Sequence, residues 1–168
     1  NDPTLNISGQ ITISMWVYLD GFDTINSPTL LTKGTSNRNF WAFFESDQTV
    51  TFRYAPSSGG FFSSLETSSS TALNIGQWHY LTFKLSSIGF NSYYRQVVLN
   101  GTSDNEGNFF SNITSASGQL NNNPLNISEE SFPFEGQIDE VRISNTARSG
   151  NWIETEYNNQ SDPGSFLT

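Results

Sequence analysis

His79 is the only histidine of the chain, set between Trp78 and Tyr80. As a general base it would need a nucleophile and an orienting carboxylate. Its spacing suggests neither, so it reads as a strand histidine satisfied by its neighbours. Close carboxylate pairs occur at Glu45-Ser46-Asp47 and Glu154-Thr155-Glu156. The first reads as a turn ahead of Val50. The second falls on an expected helix, where side chains at i and i+2 diverge. With no cysteine, disulfides, thiolate–zinc sites and cysteine nucleophiles are excluded. Aromatic chemistry is what remains. Sugar rings present apolar C–H faces and directional hydroxyls, so they are held by exposed aromatic platforms beside amide or carboxylate groups. Trp16 and Tyr18 alternate away from an apolar face. Trp41, Tyr93 and Tyr94 flank strand ends near Asn37, Arg38, Asn39 and Asn91. These five are the candidate glycan contacts, although the same residues suit core packing, the role expected of Trp78 and Trp152.

Strands must position these groups. From Ile11 to Leu19 every odd residue is apolar (Ile11, Ile13, Met15, Val17, Leu19), the period of a strand with one buried face. Phe40–Phe44, Val50–Ala55, Trp78–Leu85, Tyr94–Leu99, Leu125–Ile127 and Gln137–Ile143 read as further strands. Asn100-Gly101 is a strong hairpin turn, because both central residues of a type I′ turn need φ > 0. In the last strand the apolar phase slips between Ile138 and Val141, which one extra residue in a β-bulge at Asp139-Glu140 explains. A bulge turns a carboxylate and a carbonyl toward one point, a plausible cation seat or simply an end to pairing. One helix is expected, capped by Ser149 and carrying Trp152, Ile153 and Tyr157. The fold expectation is therefore all-β: a two-sheet antiparallel β-sandwich, a jelly roll with one short C-terminal helix, as a single domain over 1–168.

Composition narrows the partners. Ser, Thr, Asn and Gly make up 73 of 168 residues, and 14% are aromatic, too many for a disordered tail. Two Lys and five Arg against 16 acidic residues, a net charge of −9, leave no basic stripe for a nucleic acid. No apolar run approaches the ~18 residues of a membrane span.

Four stretches, QITISMWVYL, NIGQWHYLTFKL, YRQVVLNGT and FEGQIDEVRISNTARSGNWIETEYN, resemble laminin-G-like modules of the concanavalin A-like jelly-roll superfamily. They stand in the family's order. The resemblance implies a glycan-binding or adhesion module of a secreted or cell-surface multidomain protein, with a glycan or cell-surface polysaccharide as partner. Enzymes on this fold carry carboxylates spaced as E-x-D-x-E on one strand; that spacing is missing, so no enzyme activity is expected. The resemblance also implies one structural calcium, with Asp139 among its ligands and Asp2 as the N-terminal candidate. Relatives usually have one more strand before the stretch matching Ile11–Leu19, and only ten residues precede Ile11. That implies a cut inside the module, or a strand added by a neighbouring subunit. The alternative function is accordingly a structural subunit or spacer of an extracellular filament or surface layer, completed by a donor strand.

Overall fold

A computed structural model describes residues 3–7, 9–22, 27–34, 38–54, 65–89, 92–110 and 122–164. Among these residues ten strands follow a short 3-10 turn: Ile11–Leu19 (β1), Thr29–Lys33 (β2), Phe40–Phe44 (β3), Val50–Tyr54 (β4), Leu65–Ser68 (β5), Trp78–Gly89 (β6), Ser92–Leu99 (β7), Thr102–Phe110 (β8), Leu125–Ile127 (β9) and Gly136–Ser144 (β10). Helix α1, Gly150–Ser161, closes the order. The strands form two five-stranded antiparallel sheets, β10-β1-β6-β7-β8 and β5-β4-β3-β2-β9. This is the expected two-sheet sandwich.

The core sits between the sheets because the strand period sends alternate residues inward. Ile11, Ile13, Met15, Val17 and Leu19 are all 0% exposed. They meet Phe40, Ala42 and Phe44 of β3 and Val50, Phe52 and Tyr54 of β4 in one cluster. Phe52 stacks on Phe83 across the two sheets, with ring centroids 5.3 Å apart. Asn100 and Gly101 have φ of 50° and 77° and join β7 to β8, as their type I′ chemistry predicts. The bulge is present too. Ser14 pairs with Arg142 and Trp16 with Asp139, and Glu140 takes the extra position at φ 50°. Ser149 caps α1, its side chain accepting from the Trp152 N–H.

Three strands have no clear signal in the sequence. In β2, Leu30 and Leu31 both reach the core across a register shift between Thr29 and Leu31, so alternation is lost. The other two, β5 and β8, are edge strands with mostly polar sequences. Trp78 and Trp152 are corrections. They are 42% and 37% exposed, because Trp78 lies on the outward phase of β6 and Trp152 faces away from the buried Ile153.

The sandwich closes unevenly. Along the β5/β8 side, Asp104 accepts the Thr71 N–H at 3.3 Å and Asn105 Nδ2 donates to the Ser68 carbonyl at 2.6 Å. On the opposite side, Leu125, Phe134, Ile138, Val141 and Ile143 pack on the core but are only partly buried, and Ile127 is 55% exposed.

Candidate functional site

Alternation on β3 sends Phe40, Ala42 and Phe44 inward, so Asn39, Trp41 and Phe43 face out from the second sheet. Pairing places Arg53 of β4 opposite Trp41 and Glu66 of β5 opposite Arg53. Thr32 of β2 flanks Trp41 on the other side. The Trp41 and Phe43 rings stack at 3.9 Å between centroids, and Trp41 Nε1–H donates to Thr29 Oγ1 at 2.9 Å. Two guanidiniums rest on this pair. Arg38 lies 4.2 Å from the Trp41 ring, while Arg53 lies 5.0 Å from Phe43 and 5.7 Å from Trp41. Arg38 is ion-paired to Glu129 at 2.7 Å, and Arg53 to Glu66.

Within this polar and aromatic patch, itself largely buried, one dipeptide has unused hydrogen-bonding capacity. Asn39 is 0% exposed, yet neither its Oδ1 nor its Nδ2 has a partner, and Arg38 Nε is also buried without one. A buried polar group without a partner costs roughly 1–3 kcal/mol, and native proteins leave few of them. The Asn39 N–H donates to the Lys33 carbonyl at 2.9 Å, and the Lys33 Nζ donates to the Asn123 carbonyl, with burial lowering its pKa. Acceptors, donors and an aromatic pair thus converge at the start of β3, the set of groups that a polyhydroxylated ring requires.

The other sequence candidates do not join this surface. Trp16 faces outward as expected, but α1 lies over it. Its ring packs on Tyr80 and Tyr157 at 5.1 and 5.9 Å, and its Nε1–H donates to Gln160 Oε1 at 2.7 Å. Tyr93 points into the core at 3% exposed. Packing therefore claims both. Tyr18 is half-buried on the outer face of the first sheet, 5.5 Å from Trp78. Tyr94 lies further along that face and donates to Glu106 at 2.5 Å. Burial and that bond raise its pKa to about 12, and the bond in turn lowers that of Glu106. Trp41 itself is in place but only 7% exposed. Arg53, Glu66 and Glu129 had no sequence signal taken alone. Reading the outward phases of β3 and β4 together is what would have placed Arg53 beside Trp41.

Asp139 is exposed at the bulge, and its Oδ1 accepts the Glu140 N–H at 2.8 Å. Among the described residues no three His, Cys, Asp or Glu side chains converge on one point. Asp2 lies outside the described residues. His79 is 4% exposed, with Nε2 at 3.1 Å from the Asn74 carbonyl. Desolvation lowers its pKa, partly offset by that bond. Asp47 binds the Thr49 N–H and hydroxyl in its turn. Glu156 turns to Tyr80 and Arg142 while Glu154 is exposed.

No curated protein matches the chain by sequence. Its fold is similar to that of several solved structures. The family 40 carbohydrate-binding module of the Ruminococcus gnavus IT-sialidase, bound to α2,3-sialyllactose, matches at a TM-score of 0.65 and 15% identity, over 92% of this chain and 85% of that one. Domain 4 of the extracellular arabinanase AbnA from Geobacillus stearothermophilus, in complex with arabinotriose, matches at 0.55 and 18%, over 89% and 66%. The receptor-binding domain of botulinum neurotoxin type G matches at 0.64 and 12% over 90% of this chain, which spans only 38% of that domain. A family model covers residues 1–154, and on that match the chain belongs to the concanavalin A-like lectin/glucanases superfamily.

Proposed function

We propose that the chain is a non-catalytic glycan-binding module of a secreted or cell-surface protein, holding sugar on the outer face of the second sheet at Arg38, Asn39, Trp41 and Arg53. The observation that carries this reading is the buried, unpartnered Asn39 amide beside two arginines on one indole. A sugar hydroxyl both donates and accepts, so it satisfies this amide once the Arg38 side chain, which lies over Trp41 and pairs with Glu129, swings aside to open the buried site. Solved relatives in complex with sialyllactose and arabinotriose lend support at the level of fold. Because each arginine is already paired with a glutamate, the site offers donors and acceptors in balance, which suits a neutral ring. Calorimetry with arabinotriose and α2,3-sialyllactose, backed by a glycan array, tests the reading. Binding that an Asn39→Leu, Arg53→Ala double variant abolishes is expected. No binding to any glycan, or binding that survives both changes, overturns it.

The partly open β9/β10 side favours a second reading, a structural subunit whose core edge is covered by an extended segment from a neighbour. Light scattering across a concentration series addresses it. A monomer at every concentration, with no ability to take up a strand from another copy, removes that reading.

A further inference from the structure

The first sheet carries a separate aromatic surface, and we infer that it is a second sugar-binding site, facing away from the first, so that one module grips two glycan chains. The inference rests on the glycan-binding reading above. Trp78 of β6, Tyr18 of β1 and Gln137 of β10 form one outward row across three strands. Trp78 is 42% exposed, and its ring meets Tyr18 at 5.5 Å with a 58° tilt, so the two faces make a shallow, open angle. Helix α1 covers the neighbouring row. Gln160 in its last turn holds the Trp16 indole, and the Gln160 Nε2 is buried with no partner. In that same neighbouring row Asp139 is exposed, beside Trp16. Aromatic faces with the exposed Gln137 amide in their row and the Asp139 carboxylate near by suit stacking of a ring and capture of its hydroxyls. A peptide strand would need a free edge and a helix a wide apolar groove. The two aromatics of this row stand on the outer face of β1 and β6, interior strands of the sheet, and the row is polar-rimmed.

The two sites cannot share one short oligosaccharide. They lie on the outer faces of sheets stacked about 10 Å apart. They also lie toward opposite ends. Phe22, just past the end of β1, packs on Phe44 at the end of β3 at 5.7 Å, whereas Tyr54 OH, at the end of β4, donates to the Ile7 carbonyl ahead of β1 at 3.2 Å. Tyr18 and Trp78 therefore sit at one end, and Arg38 and Asn39 at the other, most of the length of a strand away. Such a diagonal pair cross-links polysaccharide, and it gains avidity on a dense glycan surface.

The four tryptophans give separate indole N–H signals, assignable with single Trp→Phe variants. The probes are arabinotriose, cellotriose, xylotriose, maltotriose and α2,3-sialyllactose at about 10 mM each, suited to millimolar affinities. At least one sugar is expected to shift the Trp78 signal, and Trp78→Ala should leave the response of Trp41 intact. Adding the polymer of the sugar that binds should scatter light with the wild type and not with Trp78→Ala, even though that variant still binds. If the Trp78 signal is unmoved by every probe, the second site is wrong, whatever Trp41 does. If Trp78 responds and Trp41 does not, the first site is wrong and the double grip with it. Scattering that survives in Trp78→Ala also overturns the double grip.

Discussion

Replacing Asn39 by leucine separates a ligand-seeking amide from a structural one. The side chain is 0% exposed, and neither of its polar atoms has a partner. Leucine has the same branched shape and no polar atoms to leave bare, but its methyl groups make it bulkier. Removing the unpaired amide should recover part of the roughly 1–3 kcal/mol that such burial costs. Overpacking by the larger side chain takes back ~1–3 kcal/mol. The net expectation is a variant whose stability stays within about 2 kcal/mol of the wild type. For a domain of this size that is a shift in Tm of no more than ~4–8 °C. Meanwhile a sugar loses two hydrogen bonds at a desolvated site, and affinity should drop on the order of 10- to 100-fold. The assay is paired calorimetry, scanning for stability and isothermal for binding. A loss of more than about 2 kcal/mol of stability would show that the amide holds the loop ahead of β3 together, and that its lack of partners carries no functional meaning.

Other substitutions probe the scaffold. Glu156 accepts from Tyr80, Ser14 and Arg142, so Glu156→Ala should cost about 2–3 kcal/mol in a denaturant titration by leaving those donors without their acceptor; Glu156→Gln should cost less. At Gly136 a Cβ would stand 2.0 Å from the Tyr18 carbonyl, at φ +154°. Gly136→Ala should therefore lose roughly 3 kcal/mol or more, and an unchanged melting point would contradict the register of β10 on β1. Because burial lowers the His79 pKa below its usual 6.5, the unfolded chain binds the proton more readily. His79 thus adds a stability loss that sets in as pH falls through 6.5 toward the folded pKa. His79→Gln, which keeps a donor for the Asn74 carbonyl, should flatten the melting curve's pH dependence in that window; an unaltered slope would rule out this origin.

Much of the architecture was legible because alternation is a local property. β1 came out residue by residue, and so did the Asn100-Gly101 turn, the Asp139-Glu140 bulge and the Ser149 cap. Each depends on neighbours within a few positions. The failures depend on partners far away in the chain. Trp16 does point outward as its phase requires, but it meets a helix more than a hundred residues later, which turns a surface into a second small core with Tyr80, Val98 and Ile153. Trp78 shares that phase and escapes the helix by one row, so residue type suggested burial where position gives exposure. Arg53 and Glu66 become functional candidates only when β3, β4 and β5 are placed in register. Polar edge strands such as β8 have no periodicity to detect, since they form through pairing with β7.

The unequal closure of the two sides sets an order of local opening. Side-chain clasps hold β5 to β8, and β6 and β7 lie inside their sheet with partners on both flanks. β9 has three residues, and β10 is paired on one flank and interrupted by its bulge. Amide hydrogens of β9 and β10 should exchange first and those of β6 and β7 last, because opening an edge exposes less core than opening the middle. Any covering segment would slow the fast group and leave the slow one near its former rate. The amide exchange map of the free domain thus doubles as a baseline against which an interaction at that side becomes visible.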